Sequence, residues 1–303
     1  MNKAYIYTII LLVTLALAGC RQTKGTEDLT DAQKLEVLDL KIERNPKDAN
    51  LLAERARLLL NLHRLNEAQF DITKAIDIEP KNEQYRLLQA DIYFAGGDIK
   101  NSYSTLGEAE SLAPDSKEVQ LKMGEITFYS RDYERSLRHL TKVTEQEPDN
   151  RTALFMKGYI YKEQGDTANA IVLMRRVCDI YPDYEPPFEE LGILYASRLD
   201  PMALEYLSTA MRLEPSNTNA IYAMAMYYQN IGELDEAEKY YHMILDINPD
   251  NAEVWHNLGY IAAFYRDDYD KAIECFDKAL LADPNHEAAA TNRSIAIALK
   301  TTK

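Results

Sequence analysis

Apolar residues recur at helical spacing along nearly the whole chain from Asp31 onward, in runs broken by short polar turns. Most runs end alike: DIEP, SLAP, EQEP, DIYP, RLEP, DINP and LADP each close an apolar-periodic stretch with a proline that cannot continue a helix. Those prolines, with Pro46 ahead of them, stand at 46, 80, 114, 148, 182, 215, 249 and 284, separated by 33 to 35 residues. Pro186 and Pro187 fall in the first turn of a predicted helix, where a missing N–H is harmless, and Pro201 falls in a turn. The pattern predicts an all-α chain built from helix pairs that repeat every 34 residues.

With proline at position 32 of such a unit, other positions come into register. Position 8 is small: Ala56, Ala90, Gly124, Gly158, Gly192, Ala225 and Gly259. Position 20 is small as well: Ala68, Ser102, Ser136, Ala170, Ala203, Ala237 and Ala272. Antiparallel helices pack closely where bulky side chains are absent, so position 8 is expected to meet position 20. Larger residues at positions 4, 7, 11 and 24 then fill the layers, for example Leu52, Leu59 and Ile72, or Phe188, Leu191, Tyr195 and Leu207. Asn66-Glu67, Gly97-Asp98, Gly165-Asp166 and Gly232-Glu233 read as the turns within units, with glycine supplying a left-handed cap. Seven units span 49–286; the fifth loses a residue near Ser197-Arg198-Leu199, and the seventh gains one near Arg266-Asp267-Asp268. A lone helix at 31–44, within a segment 31–48, and another in 287–303 read as caps that cover otherwise bare apolar ends.

The last unit carries the residues that name a family. Trp255, Leu258, Gly259, Ala272, Phe276, Ala279 and Pro284, with Gly158, Ala170 and Pro182 at matching places, resemble the tetratricopeptide repeat. The resemblance implies a right-handed superhelical solenoid of seven helix pairs, with N- and C-terminal capping helices. It also implies a concave face, built mostly from first helices, that holds an extended peptide. Positions 2, 5, 9, 12 and 13 would point inward. In units two to four that face then includes Phe94, Glu125, Phe128, Tyr129, Phe155 and Tyr159, and in units six and seven Tyr222, Met226, His256, Tyr260 and Phe264. Inward basic residues are essentially Arg57 and Lys162, too few for the clamp with which one class of these proteins grips a C-terminal carboxylate. An aromatic and acidic groove suits an apolar peptide with some Lys or Arg.

The N-terminus changes the picture of where this happens. Lys3 precedes an apolar and hydroxyl run from Ala4 to Ala18, which as a helix of about 22 Å is short of a bilayer core of about 30 Å. Leu17-Ala18-Gly19-Cys20 resembles the lipobox of bacterial lipoproteins, which implies removal of 1–19, acylation of Cys20 and a polar tether over 20–30. Arg21 resembles lipoproteins passed to the outer membrane, facing the periplasm. The partners implied are envelope proteins, bound through an extended segment.

Charge and composition narrow the chemistry. With 49 acidic against 34 basic residues, a net −15, the chain is ill suited to phosphate backbones, and nucleic acid is excluded as a partner. Three cysteines make no disulfide scaffold, and Cys178 and Cys275, about three units apart, are expected to be free buried thiols. The five histidines, at 63, 139, 242, 256 and 286, are spread along the chain and nothing in the sequence groups them. His286-Glu287 begins like a zinc-protease helix, but Ala290 stands where the second ligand is needed. No phosphate-binding, dinucleotide or serine-hydrolase motif is written, and no metal or cofactor is implied. The reading is a non-catalytic scaffold. The alternative is a glycan- or solute-binding lipoprotein partnering an outer-membrane transporter, against which the uniformly short turns count.

Overall fold

The computed structural model describes residues 29–302, and every regular element among them is a helix. The signal expected over 1–19, Cys20 and the tether as far as residue 28 lie outside the described residues. The chain forms two compact units that divide between Ile126 and Thr127, within a helix.

The first unit opens with α1 (Asp31–Arg44). Its start is a capping box: Gln33 N–H donates to Thr30 Oγ1, and Thr30 N–H donates to Gln33 Oε1. Two helix pairs follow, α2 (Ala49–Asn61) with α3 (Leu65–Ile78) and α4 (Glu83–Ala95) with α5 (Ile99–Leu112); then comes α6 (Lys117–Tyr129), which crosses the dividing point. Leu52, Leu59 and Ile72 belong to one buried cluster, as the layer positions predict, and Leu87, Leu106, Val119 and Met123 belong to a second. Position 7 of the first repeat departs from the apolar rule, because it is Arg55. Its Nε and Nη2 donate to the buried Asp71 of α3 at 2.6 and 2.8 Å, and its Nη1 donates to Asp39 of α1 at 2.5 Å. Both oxygens of the buried carboxylate are thereby paired, which is the condition for tolerating charge at such a place.

The second unit continues through α7 (Tyr133–Gln146) into four further pairs. These are α8 (Arg151–Glu163) with α9 (Thr167–Ile180), α10 (Pro186–Ala196) with α11 (Met202–Leu213), α12 (Thr218–Ile231) with α13 (Leu234–Ile247), and α14 (Ala252–Phe264) with α15 (Tyr269–Ala282). A last helix, α16 (Glu287–Thr302), packs on α15. Second helices end alike: the C-cap N–H of Tyr181, Glu214, Asn248 or Asp283 closes a last helical bond, and the next residue is Pro182, Pro215, Pro249 or Pro284.

Two local expectations are corrected. Gly97, Gly165 and Gly232 do take left-handed φ values of 76°, 79° and 85°, but the first repeat turns earlier than Asn66-Glu67. There His63 is the left-handed residue, at φ 56°, and α3 already begins at Leu65. Glu67 instead lies in the first turn of that helix, paired with Arg64 at 2.6 Å, where a carboxylate complements the helix N-terminus. The small residue at position 8, in turn, makes room chiefly for the bulky side chain at position 24. A Cβ on Gly158 would lie 3.1 Å from Met174 Cγ, one on Gly192 2.5 Å from Leu207, and one on Gly259 2.7 Å from Phe276. Position 20 is met as well, more distantly: the Ala170 carbonyl lies 3.6 Å from that Gly158 Cβ.

Candidate functional site

In the second unit the half-buried Phe128 of α6 gathers a row of rings. Its centroid lies 5.7 Å from Tyr129, 5.9 Å from Tyr133 and 5.6 Å from Tyr159. Phe155 continues the row at 6.4 Å from Tyr159 and 5.8 Å from Tyr184. Phe155, Tyr159 and Lys162 recur along α8 at helical spacing, which places them on one face. Edge-on and tilted contacts between rings are the favoured geometry for aromatic clusters. Two cations complete the row: Lys162 Nζ sits 4.0 Å over Tyr159 and donates to Glu190 at 2.7 Å, and the Arg151 guanidinium sits 4.6 Å over Tyr184. Tyr133, Arg151 and Tyr184 escape sequence reasoning because they stand at the first residues of α7 and α8 and in the turn before α10, outside the five inward positions of the repeat.

Phe94 and Glu125 belong to the first unit. Glu125 shares the Lys122 ammonium with Asp91, at 3.4 and 2.9 Å, so its charge is balanced locally. Arg57, the other expected inward cation, lines a groove of about 400 Å³ between α1 and α2 with Lys34 and Lys41.

Toward the C-terminus the second unit holds a polar and aromatic group built on α12, α14 and α16. Asn257 Nδ2 donates to Tyr222 Oη at 3.0 Å, and that hydroxyl lies 3.4 Å from Glu253 Oε1. Met226 Sδ and Gln229 Oε1 lie 3.0 and 2.8 Å from the hydroxyl of the fully buried Tyr241. Tyr260 packs 4.7 Å from Phe264 and 6.4 Å from His256. The expectation that nothing groups the histidines is overturned here, because His256 and His286 come within 5.0 Å between ring centroids. They are 30 residues apart, at opposite ends of the seventh unit, and the packing of α14 on α16 brings the start of α14 beside the cap of α16.

Glu253, His256 and His286 offer ligand atoms within 4.8 Å of one another. Hydrogen bonds already join Glu253 to His286 and His256 to Asn292. Ala289 N–H donates to His286 Nδ1 at 3.2 Å and caps α16, so the ring proton sits on Nε2, 3.2 Å from Glu253 Oε2. An ion taking that nitrogen would cost the cap. His256 Nε2 lies 3.0 Å from Asn292 Nδ2, its Nδ1 is buried without a partner, and burial followed by the neighbouring His286 holds it below the ordinary imidazole range.

Between these two groups, α10 and α12 enclose a pocket of about 420 Å³ lined by Glu189, Ile193 and Ala196 on one side and Tyr222, Ala223 and Met226 on the other. Glu189, Ile193, Ala196 and Ser197 are positions 5, 9, 12 and 13 of the fifth unit, so the register pointed to them. Glu189 and Glu190, adjacent in sequence, diverge as helical geometry requires: Glu190 meets Lys162, while Glu189 Oε2 accepts from Asn217 Nδ2 at 2.6 Å. Nucleophilic chemistry finds little support. Cys178 and Cys275 are free and buried, as expected, and burial pushes their thiols up to about 12 and about 11. Among the described residues no helix is long and apolar enough to cross a membrane.

Comparison with known proteins agrees with this geometry. Four tetratricopeptide repeat family models match residues 49–82, 121–185, 202–258 and 252–286. Among solved structures, the Cut9 and Hcn1 hetero-tetramer of APC/C contains a chain that superposes with TM-score 0.61 at 13% identity, over 88% of this chain and 52% of that one. A tetratricopeptide repeat protein from Parabacteroides merdae gives 0.58 at 14% identity, over 82% and 98%. Yeast Tom70 gives 0.54 at 16% identity, over 90% and 59%. The BBSome complex member BBS4 of Bos taurus is 26% identical over 117 residues, which are 38% of this chain and 22% of that protein. Likenesses this distant speak to fold alone, but with the four family matches and the repeat register they lead to one conclusion: the chain belongs to the tetratricopeptide repeat family.

Proposed function

We propose that this protein is a non-catalytic interaction scaffold that takes an extended segment of a partner protein along the aromatic and acidic face of its first helices. The observation that carries the reading is the row Tyr129, Phe128, Tyr159, Phe155 and Tyr184, whose rings touch one another and are nonetheless not buried. Tyrosine and phenylalanine held this way present flat apolar area with little side-chain entropy left to lose on binding. Further along the first helices Glu189, held by the neutral Asn217 amide, favours a segment with apolar and some basic side chains. Two of the similar proteins are, by their descriptions, parts of assemblies, namely Cut9 with Hcn1 and BBS4 in the BBSome, which supports a protein partner in general terms.

The N-terminal signal and lipobox support a location at a bacterial envelope membrane, anchored through acylated Cys20, at the outer membrane and facing the periplasm. The partners are then envelope proteins. The test combines Tyr159→Ala with Tyr222→Ala and compares in-cell crosslinking with the parent. The double variant keeps its helical circular dichroism and loses most of its crosslinked partner. Undiminished crosslinking removes the face as the binding site, and an absence of any protein partner together with calorimetric binding of glycans moves the protein to the solute-binding class.

A further inference from the structure

We infer that the pocket between α10 and α12 receives a cationic side chain, arginine or lysine, from the bound segment. This rests on the reading of the first-helix face as a peptide site and adds to it a place and a charge.

The case begins with three glutamates at the start of α10. Glu190 is neutralised by Lys162 at 2.7 Å. Glu185 and Glu189, one turn apart and both half-buried, have no paired cation among the described residues and share a single neutral amide: Asn217 Nδ2 donates to Glu185 Oε1 at 2.9 Å and to Glu189 Oε2 at 2.6 Å. That amide cannot turn over. Asn217 Oδ1 is committed to capping α12, accepting from Asn219 N–H at 2.9 Å and Ala220 N–H at 3.3 Å. The two hydrogens of one NH2 group therefore draw two carboxylates to the same spot without cancelling their charge. Glu185 occupies the N-cap position of α10 but its side chain makes no cap bond: Pro186 and Pro187 lack the first two donors, and Phe188 N–H donates to the Glu185 carbonyl at 2.9 Å. Its carboxyl is held above the ordinary range, first by burial and then by the charge of Glu189, despite the Asn217 bond.

Glu189 forms the polar edge of the pocket, whose remaining walls are largely apolar, with Ile193, Ala223 and Met226 beside the ring of Tyr222. None of the residues lining it is basic. A long cationic side chain satisfies both parts at once. Its methylene stem lies on apolar and aromatic surface, and its head meets Glu189 at the pocket edge with charge-assisted hydrogen bonds, the charge of Glu185 behind Asn217 adding to the attraction. The guanidinium of arginine can take the Glu189 carboxylate through two donors, whereas lysine offers a point charge. A hard metal cation fits less well, since the amide presents hydrogens rather than oxygen to the spot.

The test selects random ten-residue peptides by display on the purified parent chain and on the Glu185→Gln/Glu189→Gln variant. The parent enriches apolar residues together with Arg or Lys, the basic residue rising at least threefold over its library frequency. The variant, with a parent-like thermal melt, keeps the apolar enrichment and loses the basic one. Glu190→Gln, which breaks only the Lys162 pair, keeps both. Apolar enrichment without a basic preference in the parent, or a basic preference surviving in the double variant, overturns this inference alone. No enrichment of any peptide overturns the peptide-binding reading and this inference with it.

Discussion

Gly158, Gly192 and Gly259 show how one atom sets the spacing of a helix pair. Each lies on a first helix where a Cβ would come within 3.1 Å of the position-24 side chain, Met174, Leu207 or Phe276. A leucine at Gly158 adds four carbons to a site where the first already crowds Met174 at 3.1 Å, so both helices must shift or their side chains leave their rotamers. Gly158→Leu is therefore expected to cost about 1–3 kcal/mol, the usual range for overpacking a close contact, read as a lower urea midpoint with unchanged slope. A midpoint equal to the parent's would place Gly158 off the interface. The same residue scale explains what the sequence could reveal of the candidate site. Phe128, Phe155 and Tyr159 are legible because repeat register assigns them to a face. Tyr133 and Arg151 are not, since they open α7 and α8 outside the inward positions that the repeat rule assigns. Asn217 is legible only as a cap, and its second role needs the position of α10 beside it.

At the scale of the element, most of the fold was readable. Proline after the C-cap and a small residue at position 8 are local constraints that each helix pair must meet by itself, so their period marks the elements without knowledge of the whole. The turns were readable where glycine stands and where a residue is lost or gained, at Leu199 and Asp267, and the first repeat's turn shifted because His63 adopts the left-handed region without advertising it. Least legible was the junction of α1, α2 and α3, where the repeat rule expects leucine and Arg55 bridges Asp39 and Asp71 instead. Asp71 is almost wholly buried, so removing it strands a guanidinium that has lost two of its bonds. Asp71→Ala is expected to cost about 3–5 kcal/mol, whereas Arg55→Met with Asp71→Leu removes both charges and returns stability to near the parent value. Chemical denaturation of the two variants separates the cases. If the single and double replacements are equally unstable, the pair is not the source of the loss.

For the whole molecule, the distribution of buried ionisable groups over the two units makes stability depend on alkaline pH. Cys178 and Cys275, the only thiols between residues 29 and 302, both lie in the second unit, with folded values raised to about 12 and about 11 chiefly by burial. Burial also raises the phenols of Tyr184, Tyr206, Tyr222, Tyr228 and Tyr241 there, while Tyr85 is raised in the first unit. In the unfolded chain thiols ionise near about 8.5 and phenols near about 10. Their contribution is fully present below those values. As pH rises through them the unfolded chain sheds protons that the native state keeps, so stability falls until the folded values are reached. The urea midpoint should thus be level from pH 7 to 8 and decline steadily between pH 9 and 10.5. Cys178→Ala with Cys275→Ala should make the early part of that decline shallower. Hydrogen exchange at pH 9.5 should show protection lost over 127–302 ahead of 29–126, since the first unit has no thiol among its described residues. A midpoint flat to pH 10.5, or protection lost first in 29–126, would contradict the assignment of the alkaline weakness to the buried groups of the second unit.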